Sequence, residues 1–161
     1  MPRLGNPLVY DLLDIADALA EQTGRRNLQK AAMRRAVSSA YYAVFHGLCF
    51  ICARSLDVWT RDAKLVEPVY RLLDHGQVKN RLAGRDAVEL GPVIVGISAA
   101  FADLQERRHR ADYSPPGLEV HRAETRNTVA RARKTVADLE SLNDDQRRRL
   151  AVLLITKTRL A

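Results

Sequence analysis

The stretch from Leu28 to Ser55 is the feature that most limits how this chain can fold. Its apolar residues recur every three or four positions, a spacing that predicts one long α-helix. At about 100° per residue, two sides of that helix carry distinctive residues. The first side holds Val37, Ala40, Tyr41, Val44, Leu48 and Ile51, and the second holds Arg35, Ser39, Tyr42 and His46. A helix with two such sides is typically central in a bundle, or central and at an interface.

Further helices are predicted on both sides of this long one. Asn6 is a good N-cap and Pro7 suits a first helical position, so a helix is expected to begin there and to stop by Gly24. Its expected core-facing stripe is apolar at helical spacing and consists of Leu8, Leu12, Ile15 and Leu19. Residues 56–92 are punctuated by glycine and proline. They predict one short helix that ends near His75 and Gly76.

The second half of the chain predicts three more helices. They cover about residues 92–111, 118–142 and a last stretch that Asn143 caps, and prolines 115 and 116 separate the first two. We therefore predict an all-α, antiparallel bundle of about five to six helices. The whole chain, residues 1–161, is expected to be one domain, with a core at about 7–142 and an extra C-terminal helix at 143–161.

The charge balance points to a phosphate-bearing partner. Lys and Arg number 26 against 19 Asp and Glu, the formal net charge is +7, and Arg far outnumbers Lys. Because Arg binds phosphate through two parallel hydrogen bonds, RNA or a nucleotide is a plausible ligand. A high-GC genome explains the same composition equally well. No targeting signal is visible, and no apolar run approaches the roughly 20 residues of a membrane span. We therefore expect a cytoplasmic protein with no membrane partner.

Cys49 and Cys52 form a CxxC motif within the long predicted helix. Zinc requires about four ligands, and the chain offers no second cysteine pair. A redox CxxC is normally exposed at the start of a helix, which is not the case here. We therefore predict two buried thiols, no metal and no cofactor.

Arg108 continues an apolar stripe formed by Ile97, Phe101 and Leu104. A guanidinium in that position must be paired or must line a cleft. One interpretation is an ion pair with Asp112, one helical turn later. The other is that the basic segment 106–113 binds phosphate, stabilises the charge of a transition state and supplies a group for proton transfer.

Two segments carry a family resemblance. Residues 35–48, Arg-Ala-Val-Ser-Ser-Ala-Tyr-Tyr-Ala-Val-Phe-His-Gly-Leu, resemble the signature helix of HEPN-domain proteins, and residues 108–113, Arg-His-Arg-Ala-Asp-Tyr, resemble the second signature of that family. The resemblance covers about residues 7–140. It implies a compact helical bundle that often forms homodimers. Many HEPN proteins are metal-independent ribonucleases that act as toxins or in anti-phage defence, and others are non-catalytic.

The resemblance also implies roles for single residues. In active HEPN proteins an Arg is followed by a polar residue and, a few positions later, by a His, and two copies of this motif meet across the dimer cleft. Arg108 matches the Arg and His109 the polar position, but Tyr113 stands where the His would be. A tyrosine with a pKa near 10 is a poor general base at neutral pH. The family instead suggests that a nucleotidyltransferase-type antitoxin could modify Tyr113.

Other residues are expected to support such a site. Arg107 and Arg110 are expected to bind nucleic acid, with Asp112 and Tyr42 in supporting roles. The line Arg122, Arg126 and Arg133 could contact an RNA backbone, where solvated surface charge is the alternative. His46, one turn after Tyr42, either faces the Arg108 cleft or is a hydrogen-bonded histidine between helices. These observations favour a dimeric, RNA- or nucleotide-binding HEPN-like module, as the toxin half of a toxin–antitoxin pair. The alternatives are a HEPN endoribonuclease acting at Arg108 and a purely structural protein with a salt-bridged Arg108.

Overall fold

The computed structural model describes residues 2–60 and 62–156, and over these ranges the chain forms eight α-helices and no β-strand. The helices are α1 (Pro7–Ala20), α2 (Arg26–Ser55), α3 (Ala63–Leu72), α4 (His75–Leu82), α5 (Arg85–Val88), α6 (Pro92–Tyr113), α7 (Arg122–Ser141) and α8 (Asp144–Ile155). The all-α prediction is confirmed. The predicted count of five to six is not, because the segment between α2 and α6 forms three helices where one was expected.

Helix α2 is the centre of the bundle. It contacts α1, α3, α6, α7 and α8, and nearly all of its residues from Ala32 to Ala53 are buried or half-buried. The apolar side chains of α8 join the same core, so the last described helix packs with the rest. Helix α2 is also long and apolar enough to cross a membrane, but most of that stretch is buried within the protein, as in any core helix. Both thiols of the CxxC motif are buried and free, as predicted.

Helix α1 begins as predicted but buries a different side. The side chain of Asn6 accepts a hydrogen bond from the backbone N–H of Leu8 at 3.1 Å, and Pro7 is the first helical residue. The predicted core stripe is wrong, since Leu8 and Ile15 are exposed and Leu12 and Leu19 are only half-buried. The buried residues are Val9, Leu13, Ala16 and Ala20. Both stripes are apolar, and the stripe with two alanines lets α1 approach α2 more closely.

His75 begins a helix instead of ending one. The Asp74 side chain accepts hydrogen bonds from the N–H groups of Gly76 and Gln77, both at 3.0 Å, and so caps α4. An aspartate is among the best residues at this position because it satisfies N–H groups that have no partner within the helix. The predicted helix end at His75 and Gly76 is therefore wrong, and His75 is held at the first position of α4.

Helix α6 ends at Tyr113, two residues later than predicted, so the whole segment from Arg108 to Tyr113 is helical. The guanidinium of Arg34 donates hydrogen bonds to the carbonyl oxygens of Ala111 and Ser114, groups that the end of a helix leaves unpaired. Helix α7 begins at residue 122, not 118. Asn143 caps α8 with a reciprocal hydrogen bond to Gln146, as its sequence predicts. Residues 157–161 of that predicted helix lie outside the described residues.

Candidate functional site around Arg108

Arg108 lies where α6 passes α2, in line with the buried residues Phe101 and Leu104. Its side chain is only 12% exposed, and its nearest acidic partner is Asp112, with 3.6 Å between Nη1 and Oδ2. That distance is too long for a hydrogen bond. Nε of Arg108 and Oδ1 of Asp112 are both buried without a hydrogen-bond partner among the described residues. The expected ion pair is thus present but loose, and hydrogen-bonding capacity remains on both side chains.

Two tyrosines of α2 pack against the guanidinium. The central carbon of the Arg108 guanidinium lies 5.1 Å from the ring centroid of Tyr41 and 5.8 Å from that of Tyr42. Both distances fall within the range of a cation–π contact. The two rings lie edge to face with centroids 5.2 Å apart. This aromatic wall explains how a charge is accommodated in a largely apolar stripe.

His75 completes the group. Its Nδ1 lies 2.6 Å from the hydroxyl oxygen of Tyr41, which is fully buried. Burial raises the pKa of Tyr41, so its hydroxyl stays protonated. Burial lowers the pKa of His75, and the positive charge of Arg108 lowers it further. Both effects favour the neutral imidazole. We call Arg108, Asp112, Tyr41, Tyr42 and His75 the Arg108 cluster.

Sequence reasoning did not identify His75 as a member of this cluster. The spacing from Arg71 to His75 does not match the family motif, and nothing local to α4 signals a contact with α6. Tyr41 belongs to the first, mostly apolar side of the long predicted helix, and in the structure it links His75 to the Arg108 side chain. A histidine from a separate short helix joins the cluster through tertiary structure alone, so no local sequence signal could have found it.

His46 is a hydrogen-bonded histidine between helices, which is the second of its two sequence-based interpretations. Its Nδ1 lies 3.1 Å from the hydroxyl of Tyr70, so its hydrogen-bond partner is on α3 and not in the Arg108 cluster. Burial, followed by the proximity of His75, lowers the pKa of His46. The Tyr70 hydroxyl also accepts a hydrogen bond from the Asn6 side chain at 3.4 Å. His46 therefore helps to join α2 to α3 and to the start of α1.

The structure does not bring Tyr113 to Arg108. Five residues separate them, which places them about 140° apart around α6. Tyr113 is 70% exposed, and its ring lies 4.9 Å from that of His109, which is exposed on the same outer side. Within one chain, the three residues of the expected motif therefore form two groups, a buried Arg108 and an exposed pair formed by His109 and Tyr113.

Most of the arginines expected to contact RNA are already paired with acceptors of the protein. Arg107 binds Asp103 at 2.9 Å and Glu124 at 2.8 Å. The expected basic line is paired along its length with acceptors on or next to α1. Arg122 donates to backbone oxygens of Ala20 and Gln22 and to the Gln29 side chain, Arg126 binds Glu21, and Arg133 binds Asp14 and Asp17. Arg110 is exposed and makes no ion pair with a described residue.

A groove between the first half of α2 and the end of α6 carries cations that are less firmly held. We call it the α2–α6 groove, and it is lined by Asn27, Lys30, Ala31, Arg34, Arg35, Ala111, Asp112 and Pro116. The Arg35 side chain is exposed, and its Nη1 lies 3.6 Å from Asp112, whereas Nζ of Lys30 is 4.0 Å from Glu119. Neither cation donates a hydrogen bond to a described side chain or backbone group. Because Asp112 lines the groove and also belongs to the Arg108 cluster, the groove adjoins that cluster.

Comparison with protein-family models, with curated proteins and with solved structures finds no match to this chain. Across residues 2–60 and 62–156, no three His, Cys, Asp or Glu side chains are grouped as metal ligands would be. The candidate functional groups of the described residues are therefore those of the Arg108 cluster and the α2–α6 groove.

Proposed function

We propose that this chain is a HEPN-like, dimeric module that binds RNA or a nucleotide through the α2–α6 groove. The observation that carries the proposal is the pair of loosely held cations, Lys30 and Arg35, in a groove that adjoins Arg108. Phosphate requires positive charge along a track and donors with free hydrogen-bonding capacity. The groove offers both, whereas the arginines along α7 are paired with α1. Single-stranded RNA is the ligand that we favour, and free nucleotides share its phosphate chemistry.

Fluorescence anisotropy with a short labelled single-stranded RNA tests the proposal. We expect Lys30→Gln with Arg35→Gln to weaken binding at least tenfold. The dependence of log K on log salt concentration should also become shallower by about 1.4, or about 0.7 for each lost phosphate contact. Arg54→Gln with Arg148→Gln is the matched control, because it removes the same charge from exposed positions outside the groove. Equal RNA binding by the two double variants would refute the groove as the RNA-binding site. Competition by mononucleotides shows whether RNA or a nucleotide is preferred.

We further propose that the chain acts as the toxin half of a toxin–antitoxin pair with a nucleotidyltransferase-type partner. The supporting observation is the exposure of Tyr113, whose hydroxyl a second protein can reach. In such a transfer the tyrosine oxygen attacks the α-phosphorus of a nucleoside triphosphate and pyrophosphate leaves. Mass spectrometry after co-expression with the neighbouring gene products should show added nucleotide on Tyr113. An unmodified Tyr113 would speak against this partner.

A second candidate function, a HEPN-like endoribonuclease, is favoured by the place of His75. The pKa of His75 is lowered by burial and by the charge of Arg108, which favours the neutral imidazole. In the tautomer whose Nδ1–H donates to the Tyr41 oxygen, Nε2 is free to accept a proton. As general base it would remove the proton of a ribose 2′-hydroxyl, whose oxygen attacks the adjacent phosphorus and forms a 2′,3′-cyclic phosphate. The bond from phosphorus to the 5′-oxygen of the next nucleotide breaks, that oxygen takes a proton from water, and Arg108 stabilises the negative charge that develops. The role of the motif His, whose position Tyr113 occupies, would then belong to a histidine of another helix.

Incubation of RNA with the pure protein in the presence of a chelator tests this alternative. We expect cleavage by the wild type and by Tyr113→Phe, and intact RNA with His75→Asn and with Arg108→Ala. Intact RNA with the wild type would leave the binding function and exclude the ribonuclease. Cleavage that persists in His75→Asn would exclude His75 as the base.

A further inference from the structure

Helix α1 has two apolar stripes, and only one of them is used. Val9, Leu13, Ala16 and Ala20 pack into the core. The other stripe, which we call the outer α1 stripe, consists of Leu8, Leu12, Ile15 and Leu19. In this stripe Leu8 is 43% exposed and Ile15 is 49% exposed. A row of large apolar side chains along a whole surface helix of about 21 Å is more than scattered surface residues explain.

The outer α1 stripe continues onto α2. At one end, the Tyr70 hydroxyl bonds to both Asn6 and His46, which places the start of α1 beside the half-exposed side of α2. At the other end, Leu28 is also exposed and follows the turn between the two helices. Gly24 lies in this turn with φ of 108°, a conformation that glycine adopts readily. The exposed apolar surface thus continues onto the first turn of α2 at Leu28, and beyond it this side of α2 is mixed, with Arg35, Ser39, Tyr42 and His46.

The charges on the two sides of this surface are opposite. No Lys or Arg occurs between Arg3 and Arg25, whereas the first third of α2 is basic. Asp11 is exposed and makes no ion pair with a described residue, and Arg35 is exposed on α2. Asp11 lies nine residues before the end of α1 and Arg35 nine residues after the start of α2 (20 − 11 = 35 − 26 = 9). Because the two helices run antiparallel from one turn, Asp11 and Arg35 lie at the same height.

We infer that a second copy of this chain binds the outer α1 stripe, with a two-fold axis running along the boundary between α1 and α2. Such an axis sets α1 of each copy against α2 of the other, so that Asp11 of one meets Arg35 of its partner, twice. A specific interface needs about 800 Å² on each partner, which one helix does not supply but two adjacent helices can. The acidic α1 and the basic start of α2 make the surface complementary to itself in charge, and this favours a second copy over an unrelated protein.

This inference deepens the proposed function, because it names the surface of the proposed homodimer. Lys30 and Arg34 line the α2–α6 groove on the side of α2 that faces α6, away from α1. Pairing through α1 therefore leaves these two residues accessible. Arg35 lies at the border between the interface and the groove, so its substitution affects both, and Lys30→Gln alone tests the groove independently of the interface. An RNA in the groove would then run beside the interface, where it can reach the second copy.

Sedimentation velocity at micromolar concentration tests the inference. We expect the wild type to sediment as a species with twice the 18.1 kDa mass of one chain. Ile15→Glu places an unpaired charge in the interface and should raise the dimer dissociation constant at least tenfold. Val152→Glu is the matched control, because Val152 is 53% exposed on α8, which packs mainly against α2, α4 and α5. A monomeric wild type, or an Ile15→Glu variant that dimerises like Val152→Glu, would overturn the inference.

A charge exchange tests the two-fold arrangement itself. Asp11→Arg alone should weaken the dimer, and Asp11→Arg with Arg35→Asp should restore it, because each pair then has opposite signs again. A double variant that dimerises no better than the single one would overturn the arrangement. RNA binding by Ile15→Glu, measured separately, keeps the two proposals apart. A monomer that still binds RNA supports the groove independently, and a dimer that binds none refutes the groove and not the interface.

Discussion

The hydroxyl of Tyr41 lies 2.6 Å from Nδ1 of His75, although 34 positions separate the two residues in the sequence. The contact joins the middle of the longest helix to the first residue of α4. Burial, and after it the charge of Arg108, lowers the pKa of the His75 imidazole that this contact holds. The same hydrogen bond is therefore structural in both proposed functions and orients the base in one of them.

We predict that Tyr41→Phe lowers the free energy of unfolding by about 1–3 kcal/mol, because it leaves a partly buried histidine nitrogen without its partner. Tyr42→Phe is the control. Its hydroxyl makes no hydrogen bond with a described residue, so its loss should cost no more than about 0.5 kcal/mol. Urea unfolding followed by circular dichroism measures both values. Equal costs for the two variants would mean that the contact between Tyr41 and His75 contributes no stability.

Replacing Arg108 separates a binding role from a purely structural one. Breaking a well-formed buried ion pair costs about 3–5 kcal/mol. The contact of Arg108 with Asp112 is loose, and Arg35 remains 3.6 Å from Asp112 when Arg108 is removed. We therefore expect Arg108→Met to cost only about 1–2 kcal/mol, mostly through the lost cation–π contacts. RNA binding should fall by a larger factor than in the control variant Arg54→Gln with Arg148→Gln. A loss above 3 kcal/mol with unchanged RNA binding would establish the structural role.

The sequence shows that Arg108 is a charged residue in an apolar stripe, but it cannot predict which residues of other helices contact Arg108. Helical spacing places Arg108 next to Leu104 and one turn before Asp112, and the structure agrees. The contacts with Tyr41 and His75 depend on how α4 and α6 pack against α2, and no local pattern encodes that packing. Tyr113 is adjacent to the site in sequence but not in space, because five helical residues turn it to the outer surface.

The fold shows the same division. Helix α2 and the caps of α1 and α8 follow from local spacing and from the side-chain chemistry of Asn6 and Asn143. The buried side of α1 does not, because two apolar stripes compete and tertiary packing selects the one with smaller side chains. The three helices between α2 and α6 are too short for a clear periodic pattern, and Asp74 alone indicates where one of them begins.

Two arginines of α7 contact the end of α1 but should differ in what they contribute. Arg122 is half-buried and donates to the carbonyl oxygens of Ala20 and Gln22 and to Gln29. Arg126 forms an exposed ion pair with Glu21. We predict that Arg122→Ala lowers the free energy of unfolding by about 2–3 kcal/mol, as expected for hydrogen bonds from a charged group to buried acceptors. Arg126→Ala should cost less than about 1 kcal/mol. Chemical denaturation of both variants measures the two losses of stability. A larger loss for Arg126→Ala than for Arg122→Ala would contradict the prediction.

The two thiols should report on global unfolding. Cys49 and Cys52 are both buried, and burial raises the pKa of Cys52 to about 12. The reactive thiolate is therefore scarce in the folded state. We predict that an aromatic disulfide reagent labels the native protein no faster than the protein unfolds, and labels both thiols at once in denaturant. Rapid labelling of one thiol under native conditions would indicate local opening of α2.

Stability should depend on pH through two histidines. Burial is the main cause of the lowered pKa of both His46 and His75, so the folded state favours their neutral forms. An unfolded histidine titrates near pH 6.5, so below that value the unfolded chain binds more protons than the folded one. The contribution of these two histidines to the free energy of unfolding is therefore complete above about pH 6.5. It decreases as the pH falls from there toward their lowered pKa values in the folded state. We expect the urea concentration at the midpoint of unfolding to decrease as the pH is lowered from about 7.5 to about 5.5. Most carboxylates titrate below this range. The double variant His46→Gln with His75→Gln should show a flatter profile, and an unchanged slope in that variant would assign the pH dependence to other groups.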